Sequence, residues 1–299
     1  MCWATPRPPR SIPPSPATRA ATATPRTCCD PAAVTRLAVL ALSPHLDDAA
    51  FSAGFLLHRL SAAGHRVTVA TLFTRSVPHP AGFALACQTD KGLSPDLDYM
   101  ALRRDEDRAA SAALGAAPHW CDLPEAPHRG YGSAPALFEP PHPADDAAIA
   151  PVLDETLSVL LADHLPDLVL APQAIGAHVD HVQLVRALCR IPDPPPILWW
   201  RDFPYVSREA CPREPFAELF RSLPERAAAV TADPGTDPAA TPKRRACAAY
   251  RSQLGFQFGG EAGLDRALRA AGPREWFRVS PVPLPRALEP ILDPVPAAA

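Results

Sequence analysis

Short apolar runs that alternate with helical patterns restrict most strongly how this chain can fold. Residues 36–43 (RLAVLALS), 67–73 (VTVATLF) and 167–171 (DLVLA) are continuous apolar runs with the length of a strand buried on both faces. Apolar residues recur at helical spacing between them, as in 49–63 and 99–114. This alternation predicts a single-domain, Rossmann-like α/β fold, in which helices cover both faces of a mostly parallel sheet.

Composition divides the chain into three segments. Residues 1–34 are rich in Pro, Arg, Ala and Thr without helical or strand periodicity, so we expect a disordered extension. Residues 35–280 carry the alternating pattern without a linker or an internal repeat, and residues 281–299 form a proline-rich tail. Two irregular stretches inside the domain, 76–98 and 125–142, are long enough to shape a binding site.

The composition argues against several classes of protein. A formal net charge of −3, with 20% charged residues, leaves no broad basic surface for nucleic acid. The longest apolar runs fall well short of the roughly 20 residues of a membrane-spanning helix, so no membrane span is predicted. The 8 cysteines lack the spacing of a thiolate zinc site and favour free thiols over a disulfide framework, which fits a cytoplasmic location.

The first chemistry-bearing motif is SPHLDD, residues 43–48, where the first predicted strand ends and its helix begins. Ligands bind at this edge of open α/β sheets, and the absence of a glycine-rich turn argues against a nucleotide-binding oxidoreductase. One imidazole and two carboxylates would be costly to leave unpaired here, whereas His45, Asp47 and Asp48 can supply metal ligands and a spare base. The alternative is that an aspartate caps the helix while the histidine packs.

The second motif is GAHVDH, residues 176–181, which follows another strong strand and begins another helix. Parallel strands present their carboxyl ends at one edge, so His178, Asp180 and His181 are expected to approach the first motif. The alternative is a pair of surface histidines with Asp180 as a helix cap. Because both motifs occupy equivalent turns, we favour a shared metal site.

A third string, PHPADD at residues 141–146, looks like a copy of the first motif. It follows a proline-rich loop instead of an apolar strand and has one more residue between histidine and acids. We therefore expect Asp145 and Asp146 to cap the helix that follows and favour its N-terminus.

The two accepted motifs resemble those of the PIG-L, or LmbE-like, de-N-acetylases, the N-acetylglucosaminyl-phosphatidylinositol de-N-acetylase family. The family motifs Pro/Ala-His-Pro-Asp-Asp-Glu and His-x-Asp-His are matched at 44–48 and 178–181, and the resemblance spans roughly residues 36–255. Two weaker family features follow in order: an Arg-x-x-Glu helix ending in Leu-Gly (Arg103, Glu106, Leu114, Gly115) and a late Lys helix ending near Ser-Gln (Lys243, Ser252, Gln253).

The resemblance implies a zinc-dependent hydrolase that removes an N-acyl group, acetyl in the first instance, from an amino sugar or a related small molecule. His45, Asp48 and His181 would then bind Zn²⁺, and Asp47 would be the general base. The residue types agree with these roles, because two histidines and one carboxylate leave an open position for a water, whose proton Asp47 can take.

His178 is implied to stabilise the oxyanion, and we assign Asp180 as the neighbouring carboxylate that keeps it positive. Leu46 and Ala49 depart from the family, which usually has proline and glutamate there. Neither departure removes a predicted ligand. Loss of the glutamate removes a possible contact to a substrate hydroxyl, so the leaving group is expected to differ from that of better-known members.

Two other functions remain compatible with the motifs: cleavage of a larger amide conjugate, such as a thiol-sugar conjugate, and metal or sugar binding without catalysis. Retention of Asp47 and His178 argues against the second. Arg103 and Glu106 either contact the substrate or form an i, i+3 ion pair on their helix, and we favour the ion pair. The late aromatic residues either line a sugar pocket or pack in the core, and we favour core packing; they are Trp199, Trp200, Phe203, Tyr205 and Tyr250.

Overall fold

Eight strands form one sheet in the computed structural model, which describes residues 36–208, 212–229 and 237–294. The extension predicted for residues 1–34 lies outside the described residues. The strands are β1 (Ala38–Ser43), β2 (Arg66–Thr71), β3 (Ala117–Trp120), β4 (Leu168–Pro172), β5 (Ile197–Trp200), β6 (Glu225–Ala229), β7 (Arg274–Val279) and β8 (Asp293–Pro294).

Helices connect most of these strands and cover both faces of the sheet. The irregular stretch 76–98 contains a helix that the sequence did not predict, α2. The helices are α1 (Asp48–Ala62), α2 (Gly82–Thr89), α3 (Tyr99–Leu114), α4 (Pro143–His164), α5 (Val179–Leu188), α6 (Tyr205–Arg208), α7 (Ala217–Arg221), α8 (Pro242–Ala249), α9 (Arg251–Phe258) and α10 (Glu261–Ala271).

The strand order is β3-β2-β1-β4-β5-β7-β6-β8. The first five strands in this order are parallel, and the remaining pairings are antiparallel. The predicted α/β fold with a mostly parallel sheet is confirmed, although the antiparallel side was not predicted. Since β1 pairs with β4, the turns that follow these two strands lie side by side.

The core lies on both faces of the sheet, as the continuous apolar runs require. In β1, Val39 and Ala41 pack with helices α1, α3 and α8, whereas Leu40 and Leu42 pack with α4 and α5 on the opposite face. All four side chains are buried. The strand that carries the first motif is therefore held firmly from both sides.

A buried ion pair interrupts helix α1 in its middle. Ala53 has non-helical backbone angles, and the N–H groups of Phe55 and Leu56 each donate at 2.9 Å to the carboxylate of Glu275 on β7. The ammonium of Lys243 lies 2.7 Å from the same carboxylate. The second half of α1 is thus capped by a residue from the C-terminal part of the chain.

The late Lys helix that the family resemblance implies is divided at Tyr250 into α8 and α9. The carboxylate of Glu106 on α3 accepts hydrogen bonds of 2.7 Å from the backbone N–H and the hydroxyl of Ser252, near the start of α9. The expected ion pair between Glu106 and Arg103 is therefore wrong, because Glu106 stabilises a helix start instead.

Part of the predicted tail, 281–299, belongs to the folded unit. Strand β8 pairs with β6, and Leu288, Ile291 and Leu292 are buried in the core. None of the helices in the described ranges combines the length and the hydrophobicity that a membrane span requires.

Candidate active site

The turn after β1 holds the first motif in a defined arrangement. The hydroxyl of Ser43 donates to the carbonyl of His45 at 2.6 Å and accepts from the N–H of Ala49 at 3.0 Å. The carboxylate of Asp48 accepts from the N–H of His45 at 2.9 Å. Asp47 is the N-cap residue of α1 by position, but its side chain makes no capping hydrogen bond. The capping alternative therefore does not account for Asp47.

The turn after β4 carries the second motif into helix α5. His178 is the N-cap residue, and its Nδ1 accepts from the N–H of Asp180 at 3.3 Å. His178, Asp180 and His181 are all buried. The alternative of two surface histidines is therefore wrong.

The side chains of the two motifs meet at the carboxyl edge of the sheet. Asp48 Oδ2 lies 3.1 Å from His45 Nδ1 and 3.1 Å from His181 Nε2. One nitrogen from each of His45, His178 and His181 lies within 4.8 Å of the other two. His181 Nε2 is buried, and apart from this contact with Asp48 it has no polar partner in the described part of the chain. Buried imidazole nitrogens and a carboxylate oxygen that lie this close together are the donor types that bind a metal ion such as zinc.

In His45 and His181, the ring nitrogen that does not face Asp48 contacts another carboxylate. His45 Nε2 lies 2.8 Å from Asp180 Oδ2, and His181 Nδ1 lies 2.9 Å from Asp202 Oδ1. Such outer contacts orient imidazole ligands and fix their tautomer. Asp202 was missed by the sequence analysis. Its position two residues beyond β5, the strand next to β4, was the available indication.

Asp202 itself is fixed by the backbone. Its Oδ2 accepts from the N–H groups of Gln173 and Ile175 at 3.1 and 2.9 Å, just beyond the end of β4. The ends of β4 and β5 are therefore joined behind His181.

Asp180 has a different partner from the one expected. One carboxylate oxygen, Oδ2, contacts His45, and the other, Oδ1, lies 2.8 Å from Arg129 Nη2. Burial, together with repulsion from His45, lowers the pKa of His178 to about 3, so this imidazole is neutral in the absence of a metal and not positive as expected. Asp145 and Asp146 lie in the first turn of α4, as expected, but the carboxylate of Asp145 binds Arg129 and makes no capping hydrogen bond.

The charges around the donor atoms favour protonated histidines when no metal is present. Burial opposes the charged form, but hydrogen bonds to Asp180 and Asp48 raise the pKa of His45 well above its usual range. Burial likewise opposes charge on His181, but the carboxylates of Asp48 and Asp202 raise its pKa to about 9. Despite burial, the charge of His181 holds the pKa of Asp48 well below its usual range. A metal would displace protons from this site.

The carboxylate of Asp47 is held by an arginine. Its Oδ1 lies 3.2 Å from Arg103 Nη2, while Arg103 Nη1 lies 2.5 Å from Glu125 Oε1. Burial raises the pKa of Asp47 above the ordinary value, and the charge of Arg103 limits the rise. Arg103, left out of the predicted site, thus contacts the predicted base.

A cavity of about 220 Å³ opens onto these groups. Both irregular stretches, 76–98 and 125–142, contribute to its walls, as does α9. Of the late aromatic residues only Tyr205 lines the cavity; the other four pack in the core. Its aromatic wall residues are Phe83, Tyr99, Phe138, Tyr205 and Phe256.

The chain is similar to known deacetylases. The 2'-N-acetylparomamine deacetylase of Streptomyces fradiae is 33% identical over 176 residues, which are 56% of this chain and 58% of that protein. The chain thus spans less than two thirds of that curated relative.

Solved structures of two further deacetylases resemble the whole domain. Teicoplanin deacetylase Orf2 in its zinc-inhibited form is 25% identical with a TM-score of 0.65, covering 81% of this chain and 97% of that one. The A40926 pseudoaglycone deacetylase Dbv21 is 28% identical with a TM-score of 0.64, covering 84% and 100%. The family model for PIG-L, GlcNAc-PI de-N-acetylase, matches residues 40–191, which include both motifs and just over half of the chain. The resemblance noted in the sequence is confirmed, and the chain belongs to the PIG-L family.

Proposed function

We propose that this protein is a zinc-dependent hydrolase that removes an N-acetyl group from an amino sugar or a related small molecule. The convergence of His45, Asp48 and His181 on one point, next to Asp47 and His178, carries this proposal. The relatives support this proposal, because they are named as deacetylases of 2'-N-acetylparomamine, teicoplanin and A40926 pseudoaglycone.

His45, Asp48 and His181 would hold the ion. Two imidazole nitrogens and one carboxylate suit Zn²⁺ and leave coordination positions open. When bound, the ion would act as a Lewis acid that acidifies water and polarises the amide carbonyl. Asp180 and Asp202 would keep the two imidazoles in the orientation that binding needs.

The side chains around the ligands would move the protons. Asp47, held by Arg103, would take a proton from the attacking water and pass it to the departing amine as the C–N bond breaks. His178 would act as a neutral donor. Its Nδ1 accepts a backbone N–H, so the ring proton resides on Nε2, where it can stabilise the growing charge on the carbonyl oxygen. The products are acetate and the free amine.

The test is release of free amine from N-acetylated amino sugars by the purified protein. Zinc should be titrated from one equivalent upward, since Orf2 has a zinc-inhibited form. We expect Asp47→Asn to keep the metal and lose at least about 100-fold in kcat, and Asp48→Ala to lose the metal. Asp122→Asn, an exposed carboxylate outside the cavity, is the matched control. A wild-type protein that releases no amine from any such substrate would contradict the proposal.

A second candidate is hydrolysis of a larger amide. The cavity walls include the apolar side chains of Phe83, Leu137, Phe138 and Phe256 beside charged ones, and Phe256 is 69% exposed. Such a surface favours an apolar substituent on the substrate. Comparing rates for acetyl, butyryl and octanoyl amides of one amino sugar distinguishes the deacetylase from a hydrolase of larger amides.

We keep the cytoplasm as the proposed compartment, because the described cysteines are free thiols.

A further inference from the structure

The third string of the sequence, PHPADD at 141–146, brings a buried carboxylate close to the site. Its two aspartates lie in the first turn of α4 but have different surroundings. Asp146 lies 2.8 Å from Arg186, and both of these side chains are partly exposed. The carboxylate of Asp145 lies 2.9 Å from Nε of Arg129, and these two side chains are only 8% and 7% exposed. One aspartate of the string therefore forms a surface ion pair and its neighbour a buried one.

Arg129 is held in one orientation by the oxygens around it. Its Nε and Nη2 both donate to Asp145, and its Nη1 donates to the carbonyl oxygen of Pro124 at 2.7 Å. Gln183 joins the pair, because it accepts from Arg129 Nη2 at 2.7 Å and donates to Asp145 at 2.9 Å. A planar guanidinium with several fixed acceptors has little freedom to turn. Its contact with Asp180 Oδ1, 2.8 Å from Nη2, is therefore made from a fixed position.

Asp180 transmits this orientation to a predicted metal ligand. It is fully buried, and its Oδ2 lies 2.8 Å from His45 Nε2 and accepts from the N–H of Ala126 at 3.2 Å. The other ring nitrogen of His45 faces Asp48. A carboxylate that is held at both oxygens sets the plane of the imidazole it contacts. It thereby sets the direction of the nitrogen that faces the metal position.

The same contacts fix the backbone beside the predicted base. The carbonyl before Glu125 accepts from Arg129, and the N–H after Glu125 donates to Asp180. Glu125 contacts Arg103, which in turn contacts Asp47. The network around Arg129 therefore reaches both a metal ligand and the base.

We propose that Arg129 and Asp145 are positioning residues for the metal site. Asp145 fixes the guanidinium of Arg129. That guanidinium fixes Asp180 and, through it, the imidazole of His45. This inference rests on the proposed function. The alternative is an ion pair that only holds the fold together, which would change the free energy of unfolding and leave the metal affinity of the folded protein as it is.

The test is the affinity of the metal-free, full-length protein for Zn²⁺, measured by competition with a chromophoric chelator at a temperature where every variant is folded. Arg129→Lys keeps the positive charge but offers one nitrogen in place of a planar fork. We expect it to raise the Kd for Zn²⁺ about 10-fold or more and to change the visible absorption of the Co²⁺-loaded protein. Asp145→Asn should weaken Zn²⁺ binding in the same direction. The double variant should bind no more weakly than Arg129→Lys alone, because Asp145 acts through Arg129.

Asp146→Asn is the matched control, since it makes the same change one residue away in a surface pair. We expect it to keep the wild-type Zn²⁺ affinity and Co²⁺ spectrum. If Arg129→Lys and Asp145→Asn also keep both, whatever their melting temperatures, the positioning role is wrong while the deacetylase proposal stands. A double variant with additive losses would equally contradict the order of action.

Asp145→Asn decides the question if Arg129→Lys does not fold, because it preserves the size of the side chain. Wild-type Zn²⁺ affinity in this variant would then refute the positioning role. A wild-type protein that binds no Zn²⁺ would overturn both this inference and the proposed function.

Discussion

Removal of the metal should make the stability of this protein depend on pH through His181. In the metal-free fold, burial opposes charge, but Asp48 and Asp202 raise the pKa of His181 to about 9, against 6.5 for an unperturbed histidine. The folded state therefore holds this proton more tightly than the unfolded state. The resulting stabilisation is fully present below pH 6.5 and is lost as the pH rises through about 9.

The size of the effect follows from the two pKa values. A difference of about 2.5 between about 9 and 6.5 corresponds to about 3 kcal/mol, at roughly 1.4 kcal/mol per pH unit. This is a large part of the 5–15 kcal/mol or so that stabilises a typical domain.

Urea unfolding between roughly pH 6 and 9.5, after a chelator has removed the metal, measures this pH-dependent stabilisation. His181→Gln is the reference variant, because it lacks the titrating ring. We expect the stability difference between wild type and His181→Gln to shrink by up to about 3 kcal/mol across this range. The zinc-loaded wild type should not show this loss, since the metal replaces the proton. A difference that stays constant, or grows with pH, would refute the reasoning.

Two further substitutions test features of the fold. Gly176→Ala should lower the free energy of unfolding in urea by about 1–3 kcal/mol and reduce turnover, because it strains a backbone at φ +95° and pushes against the ring of Tyr205. The control is Gly132→Ala, which adds its methyl group in open space and should change stability by no more than about 0.5 kcal/mol. Equal effects of the two substitutions would contradict this account. Lys243→Met should cost about 3–5 kcal/mol, because it leaves the buried carboxylate of Glu275 without its counter-ion and with only its two backbone N–H donors. Adding Glu275→Gln should recover part of that loss, and a single-variant cost below about 1 kcal/mol would refute the role of the pair.

The sequence predicted the sheet and the position of the site because both depend on local patterns. The apolar runs before residues 43 and 172 identify buried strands, and parallel strands place the turns that follow them at one edge. His45, Asp48 and His181 belong to those turns, so their approach to one another required no knowledge of the loops.

The remaining contacts depend on side-chain directions and on distant parts of the chain. Asp180 was expected to pair with His178, two residues away, but helix geometry turns its carboxylate toward His45 and Arg129. Arg129 lies in a stretch without periodicity, so nothing in the pattern linked it to the site. The antiparallel direction of β6 and β7 cannot be read from apolar periodicity, and the two-residue strand β8 is too short to show any alternation.

The break in helix α1 makes its second half depend on a strand about 220 residues later in the chain. The N–H groups of Phe55 and Leu56, at the start of that half, are both bonded to the carboxylate of Glu275. A recombinant fragment limited to the family-matched span, 40–191, would lack this carboxylate and Asp202 as well. Such a fragment would keep every predicted ligand in its sequence and still fail to hold them in place.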